Sequence, residues 1–275
     1  MIRKHKLLID QNCPMCQLYA KGFYKMALVD DATVCHYQTV NQEIMNQIDT
    51  ERAKSEVALF NEETKQTVYG VDAFLTILQQ ENRILNQLFQ FPPIHWVADK
   101  AYRFISYNRH VIAAVSQKAE ERACVPKVHR GYRWLYIILG AVFTAVVLNQ
   151  FSCLLAAQLG LNIPVYQEWL LCFGQIAWQM IAIQIIRKQK QSDYLGNMTT
   201  VSILGALLLI PLLIFDGMGT LNALQLIIYF AMVVGYMFLL HLKRSKKLQL
   251  PLSISLSWIA YRIIFLIIII SLHLF

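Results

Sequence analysis

Polar and apolar residues are interleaved over residues 1–130 of this chain, whereas residues 131–275 are close to continuous apolar sequence. In the first part, the run Leu7-Leu8-Ile9 makes residues 5–10 a buried strand. Residues 13–29 read as a helix, with Pro14 tolerated in its first turn. Residues 32–40 are rich in β-formers and predict a second strand, followed by a polar helical stretch at 41–54. Residues 56–61 and 66–69 predict a hairpin across Glu62-Glu63-Thr64. Gly70 ends it, and 71–80 reads as a helix with Ala73, Phe74, Ile77 and Leu78 on one side. Helices continue over 82–118, interrupted at Pro92-Pro93, and a polar segment follows.

The second part predicts an all-α transmembrane bundle of about five spans, at 134–159, 169–186, 199–215, 221–240 and 252–274. Each is near the ~20 apolar residues that cross a bilayer; the third, which carries Pro211, is the shortest. The chain thus divides into a domain at 1–118, a linker at 119–133 and a membrane domain at 134–275. Composition agrees: 56% of residues are hydrophobic and 15% charged, against roughly a quarter charged in soluble domains.

The net charge of +8 is concentrated beside the spans. Lys127, Arg130 and Arg133 precede the first, Arg187, Lys188 and Lys190 follow the second, and Lys243, Arg244, Lys246 and Lys247 follow the fourth. The loops at 160–168 and 216–220 carry no Lys or Arg. By the positive-inside rule the basic loops face the cytoplasm, which puts the N-terminal domain inside and the C-terminus outside a cell (inner) membrane. Leu7-Leu8-Ile9 is too short for a secretory h-region, which agrees with a cytoplasmic first domain. Trp134, Tyr136, Tyr166 and Trp169 stand at span ends, as an interfacial aromatic belt requires. No basic patch carries interleaved aromatics, so nucleic acid is not an expected partner.

The densest chemistry is Cys13-Pro14-Met15-Cys16, at the junction of the first strand and first helix. A thiolate at a helix N-terminus is stabilised by free N–H groups and the helix dipole. In this geometry the first cysteine is the exposed nucleophile, so Cys13 attacks and Cys16 resolves the mixed disulfide. Asp10 and Pro14 are the supporting residues: Pro14 holds the turn, and a carboxylate at Asp10 would relay a proton or raise a thiol pKa. The element order βαβ(α)ββα, with the cysteine pair after the first strand, predicts an α/β thioredoxin-like domain. The rival chemistry is binding of a soft metal, Cu(I) or Zn, by the same pair. Cys35-His36 would be its further ligands, but adjacent strand residues face opposite ways and Cys35 reads as core. Cys124 reads as a third redox thiol or a linker cysteine, and Cys153 and Cys172 as small hydrophobes within spans.

Residues 8–16, LIDQNCPMC, resemble the opening of the DCC family of thiol-disulfide oxidoreductases. Tyr69-Gly70-Val71-Asp72-Ala73 resembles that family's Gly-x-Asp-Ala segment, and Ala101-Tyr102-Arg103 through Tyr107-Asn108-Arg109 its closing Tyr-Arg…Asn-Arg segment. The resemblance covers roughly residues 6–112 and implies a thioredoxin-like fold with redox roles for Cys13 and Cys16. The chain departs from the family at Gln11-Asn12, where Gly is usual, and has no Pro before residues 56–60, where thioredoxins dock substrate. Asp72, Arg103, Asn108 and Arg109 read as a helix cap and surface or interdomain ion pairs, with a polar cluster near the thiols as the alternative.

In the last span, Arg262 lies near the middle, where a cation costs at least about 2.5–3.5 kcal/mol. With Gln175 and Gln179 it forms a candidate membrane site, for interhelical hydrogen bonding or for an anionic lipid headgroup, a quinone or a transported solute, and those glutamines are its expected partners. The reading is a membrane-anchored thiol-disulfide oxidoreductase acting on disulfide- or thiol-containing proteins or small molecules. Its alternatives are a soft-metal delivery protein and a membrane transporter or scaffold with a redox sensor. No cofactor is implied.

Overall fold

The computed structural model describes residues 4–78, 83–114, 128–160, 164–216 and 222–274. The chain divides into two compact units, Met1–Tyr132 and Arg133–Phe275. Cys124 and residues 119–127 of the expected linker lie outside the described residues.

The first unit is built on a four-stranded sheet of order β2-β1-β3-β4. Strand β1 (His5–Ile9) runs parallel to β2 (Val34–His36) and antiparallel to β3 (Ala58–Asn61), which pairs antiparallel with β4 (Thr67–Tyr69). Helix α1 (Pro14–Lys25) makes the crossover from β1 to β2. Alternation along β1 sends Leu7 and Ile9 to a core that includes Cys13, Cys16, Phe23, Leu59 and Ile77. Leu8 goes to the opposite face, with Tyr37, Ile48 and Phe60. This is the thioredoxin-like arrangement, with helices on a mixed sheet.

Several boundaries differ from the sequence pattern. The strand expected at 32–40 is only Val34–His36, because Tyr37 to Val40 turn back with Thr39 and Val40 donating to the His36 carbonyl. The polar stretch at 41–54 is two one-turn helices, α2 (Gln42–Met45) and α3 (Thr50–Ala53), each capped by its own side chain, Asn41 and Asp49. Helices α4 (Val71–Leu78), α5 (Arg83–Gln90) and α6 (Pro92–Ile112) complete the unit. Gly70, between β4 and α4, has φ of +63°, and a Cβ there would meet Glu56 Oε2 at 3.1 Å and Tyr102 Cε1 at 3.2 Å. Glycine satisfies both constraints.

The second unit is helical: α7 (Arg130–Leu159, whose first turn belongs to the first unit), α8 (Tyr166–Arg187), α9 (Gln191–Asp216), α10 (Ala223–Lys247) and α11 (Leu252–Leu274). Four stretches among the described residues are long and apolar enough to cross a membrane: Arg130–Leu159, Tyr166–Phe215, Ala223–Lys247 and Leu252–Ile269. The second contains both α8 and α9. A straight helix separates residues fifteen apart by about 22 Å, yet the Tyr194 hydroxyl donates to Gln179 Oε1 at 2.8 Å. The chain therefore reverses at the 3₁₀ turn Lys188–Lys190, and five helices pack in the bundle.

Helix α9 is longer than the span expected at 199–215 because its polar first turns are inside the bundle. Asp193 pairs with buried Arg133 at 3.6 Å, Asn197 accepts from Arg244 at 2.9 Å, and Thr200 hydrogen-bonds Tyr136 at 2.8 Å. Lys190 also donates to the Leu248 carbonyl. These contacts gather the start of α7, the α8–α9 turn and the end of α10 at one end of the bundle.

Candidate functional site

The turn carrying the cysteine pair is shaped by Asp10. Its Oδ1 accepts from the Asn12 N–H at 2.9 Å and from Gln38 Nε2 at 2.6 Å, and its backbone carbonyl accepts from Cys13 N–H. Asp10 is buried, and its carboxylate holds the turn where Gln11-Asn12 replaces a Gly of the related motif. Cys13 is the N-cap of α1, with Pro14 at the first helical position. The pair thus stands where the end of β1 meets the start of α1.

Cys13 is not the exposed thiol that the motif leads one to expect: its exposure is 0%, and Cys16 is also buried. Both thiols are free and belong to the core cluster that joins α1, β1, β3 and α4. Aromatic side chains pack against this cluster. Tyr19 and Phe23 of α1 meet Phe74 of α4 edge-on at 5.2 and 5.1 Å, and Phe74 meets Tyr102 of α6 at 5.7 Å.

A buried pair needs charge compensation from within, and Arg109 supplies it. Its exposure is 4%; Nη1 approaches Cys16 Sγ at 3.8 Å, and Nη2 donates to the Lys54 carbonyl at 2.7 Å. Arg109 is the last of three residues at helical spacing on α6 that grip the segment leading into β3. The Tyr102 hydroxyl accepts from Val57 N–H at 2.8 Å, Ser106 Oγ donates to the Ser55 carbonyl, and Arg109 takes the Lys54 carbonyl. Positions i, i+4 and i+7 lie on one helix face, so one face of α6 organises the 54–57 segment and reaches the thiols.

The two thiols are driven apart electrostatically. The hydrogen bond from the Cys16 thiol, opposed by burial and aided by the Arg109 charge, holds Cys13 down at about 6; the N–H groups of Met15 and Cys16 at the helix start add to this. Donating that bond and being buried push Cys16 far up, with Arg109 acting against the rise. At neutral pH the pair is one thiolate, on Cys13, beside one thiol, on Cys16. That is the protonation state a nucleophile and its resolving partner need.

Other residues fall elsewhere. Asp72 pairs with His95 at 2.8 Å on the surface, and Arg103 with Asp99 at 2.9 Å. Asn108 donates to the Phe104 and Tyr132 carbonyls. Arg109, grouped with these three in the sequence, is the one the fold brings to the thiols. Its signal was the Tyr102–Ser106–Arg109 spacing. Cys35 packs in the core on the other face of the sheet, so it does not join Cys13 and Cys16. Among the described residues no group of three His, Cys, Asp or Glu side chains is placed to hold a metal.

In the second unit, Arg262 lies over the Trp258 ring at 4.2 Å, and neither expected glutamine hydrogen-bonds it. Gln179 is taken by Tyr194 and Ser257, because α8 presents it to α9 and α11 together. Gln175 borders the same cavity as Arg262 without bonding it.

Residues 7–114 match the family model described as DCC1-like thiol-disulfide oxidoreductase. No curated protein and no solved structure matches the chain.

The Cys13 charge has consequences for pH. In the reduced protein, thiolate absorbance in the ultraviolet is expected to titrate with a midpoint near about 6. Arg109→Met should move that midpoint up, and Arg109→Lys should recover part of the shift; an unchanged midpoint in Arg109→Met contradicts the assignment. The linked effect on stability has a definite sign. Cys13 sits below its unbound value of 9.0, so its contribution is complete above that value and is lost as pH falls through about 6.

Proposed function

We propose that this chain, a member of the DCC1-like thiol-disulfide oxidoreductase family through residues 7–114, is a membrane-anchored oxidoreductase that exchanges disulfides through Cys13 and Cys16. The observation that carries the proposal is the buried Arg109 guanidinium 3.8 Å from Cys16 Sγ, in a pair whose first thiol is held ionised. Cys13 Sγ attacks one sulfur of a substrate disulfide, and the other substrate sulfur leaves as a thiolate that takes up a proton. Cys16, deprotonated as it reacts, then attacks Cys13 of the mixed disulfide. The substrate leaves as a dithiol and the protein carries a Cys13–Cys16 disulfide. Pro14 and Asp10 act as positioning residues that fix the turn. Substrates are thiol- or disulfide-containing proteins or small molecules. Because Cys13 is enclosed, substrate reaches it through a local opening of the aromatic cover formed by Tyr19, Phe74 and their neighbours.

The helical unit anchors the redox unit at a cell membrane. Its basic segments at the start of α7, the α8–α9 turn and the end of α10 share one end of the bundle, which supports a cytoplasmic assignment for that end and for the redox unit. With five helices crossing, a reporter fused after Phe275 should score extracytoplasmic; a cytoplasmic score there contradicts this orientation.

Trapping tests the chemistry. Cys16→Ser should accumulate mixed disulfides through Cys13, visible as reducible adducts by mass spectrometry. Cys13→Ser should lose disulfide turnover by at least about 10²-fold, since the remaining thiol, Cys16, is buried and held protonated. Retention of turnover in both variants, with no adduct in Cys16→Ser, would sink the proposal. Stoichiometric Cu(I) binding by wild type in the absence of turnover would favour the soft-metal alternative instead.

A further inference from the structure

The helical unit contains two cavities that meet at Arg262. One is a groove of about 340 Å³ bordered by α7, α8, α10 and α11, with Leu148, Leu171, Phe230, Ile263 and Leu266 among its lining residues. The other is an internal cavity of about 30 Å³, bordered by Gln175, Thr144 and Thr199. Its volume has room for about two water-sized oxygen atoms. Arg262, Leu148 and Leu171 line both.

The polar groups at this junction are unusual in what they lack. Gln175 is 3% exposed, and neither its Oε1 nor its Nε2 has a hydrogen-bond partner. Arg262 Nε is buried and equally unpartnered. The guanidinium lies over Trp258, itself stacked on His241 at 5.1 Å, so its position is set by packing. Among the described residues no carboxylate forms an ion pair with Arg262. Thr144 and Thr199 spend their hydroxyl protons on their own helices, at the Gly140 and Leu195 carbonyls, and keep acceptor capacity only. Glu168, the other ionisable group on the groove, is buried with its Oε2 unpartnered; it forms no ion pair with Arg262 and stands in the first turn of α8, where the helix dipole favours an anion.

We infer that these joined cavities bind a long-chain carboxylate, with its acyl chain in the apolar groove and its carboxylate at Arg262 and Gln175. Three features select that ligand. A cation within a membrane-crossing helix, lacking a counter-charge, calls for an anion, and an uncharged carbonyl would leave most of the cost in place. The small cavity takes two oxygens, which suits a carboxylate better than a quinone ring or a phosphate ester. The groove is lined mostly by apolar side chains, with Ser152, Gln167 and Glu168 as polar members besides Arg262, and is within the size range of small-molecule pockets. The inference is independent of disulfide exchange at Cys13.

The test is binding of radiolabelled oleate to the purified, delipidated full chain in detergent, with decyl-ubiquinone and a lysophospholipid as competitors. Near-stoichiometric binding is expected, displaced by other fatty acids and not by either competitor. Arg262→Gln should weaken it at least tenfold. Ile263→Trp, which fills the groove and leaves the guanidinium intact, should weaken it as well, so a loss in both identifies the site even if one variant folds poorly. Disulfide exchange should be unchanged in both. Oleate binding at wild-type strength in Arg262→Gln, or displacement by decyl-ubiquinone or lysophospholipid as readily as by fatty acid, would overturn the inference.

Discussion

One buried guanidinium ties the redox unit together. Arg109 links Cys16 Sγ on α1 to the Lys54 carbonyl before β3, and it does so from α6, the last helix of the domain. A buried thiolate is expensive unless an opposite charge and hydrogen bonds meet it. Here the Cys16 thiol and Arg109 do so, with the Met15 and Cys16 N–H groups at the helix start. The rest of the site follows from holding that arginine in place. Tyr102 and Ser106 fasten α6 to the same segment, Gly70 leaves room for Tyr102, and Phe74 packs between Tyr102 and the residues beside the thiols.

This arrangement differs from an exposed nucleophile at a helix tip. There, solvent stabilises the thiolate and the helix dipole adjusts it. Here both thiols are buried, so the charge balance is internal and depends on a residue more than ninety positions away in sequence. The same principle applies in the helical unit. Arg133 and Arg244 find Asp193 and Asn197, which lengthens α9 and closes one end of the bundle. Arg262 finds an aromatic face and a cavity, and among the described residues no carboxylate pairs with it, which is what points to a ligand.

The features readable from the chain were those encoded locally. The period of apolar residues marks β1, α1 and the hairpin, and the long apolar runs mark α7 to α11. The Cys13-Pro14-Met15-Cys16 spacing marks the helix start. What could not be read depends on tertiary crossings. Arg109 has the same local context as Asn108 and Arg103, and only the angle of α6 against the sheet decides which one meets sulfur. Cys13 is buried in a cluster that also takes Leu59, Ala73 and Ile77 from far along the chain. The short β2 reflects the turn of Tyr37–Val40 onto the His36 carbonyl, and the split helix at 41–54 reflects side-chain caps at Asn41 and Asp49 overriding propensity. The third span looked short because Asp193 and Asn197 are polar, yet their partners lie on α7 and α10.

The central claim is that Cys13 and Cys16 form a reversible redox couple whose reduced form is stabilised by Arg109. Its most direct test is the reduction potential of the pair in the full chain, equilibrated against glutathione and read by alkylation and mass spectrometry. The account predicts a single two-electron couple within the range of dithiol oxidoreductases, roughly −120 to −270 mV, that moves to a more negative value in Arg109→Met as thiolate stabilisation is lost. A pair that forms no disulfide under oxidising glutathione, or one below about −300 mV that is insensitive to Arg109, would contradict it.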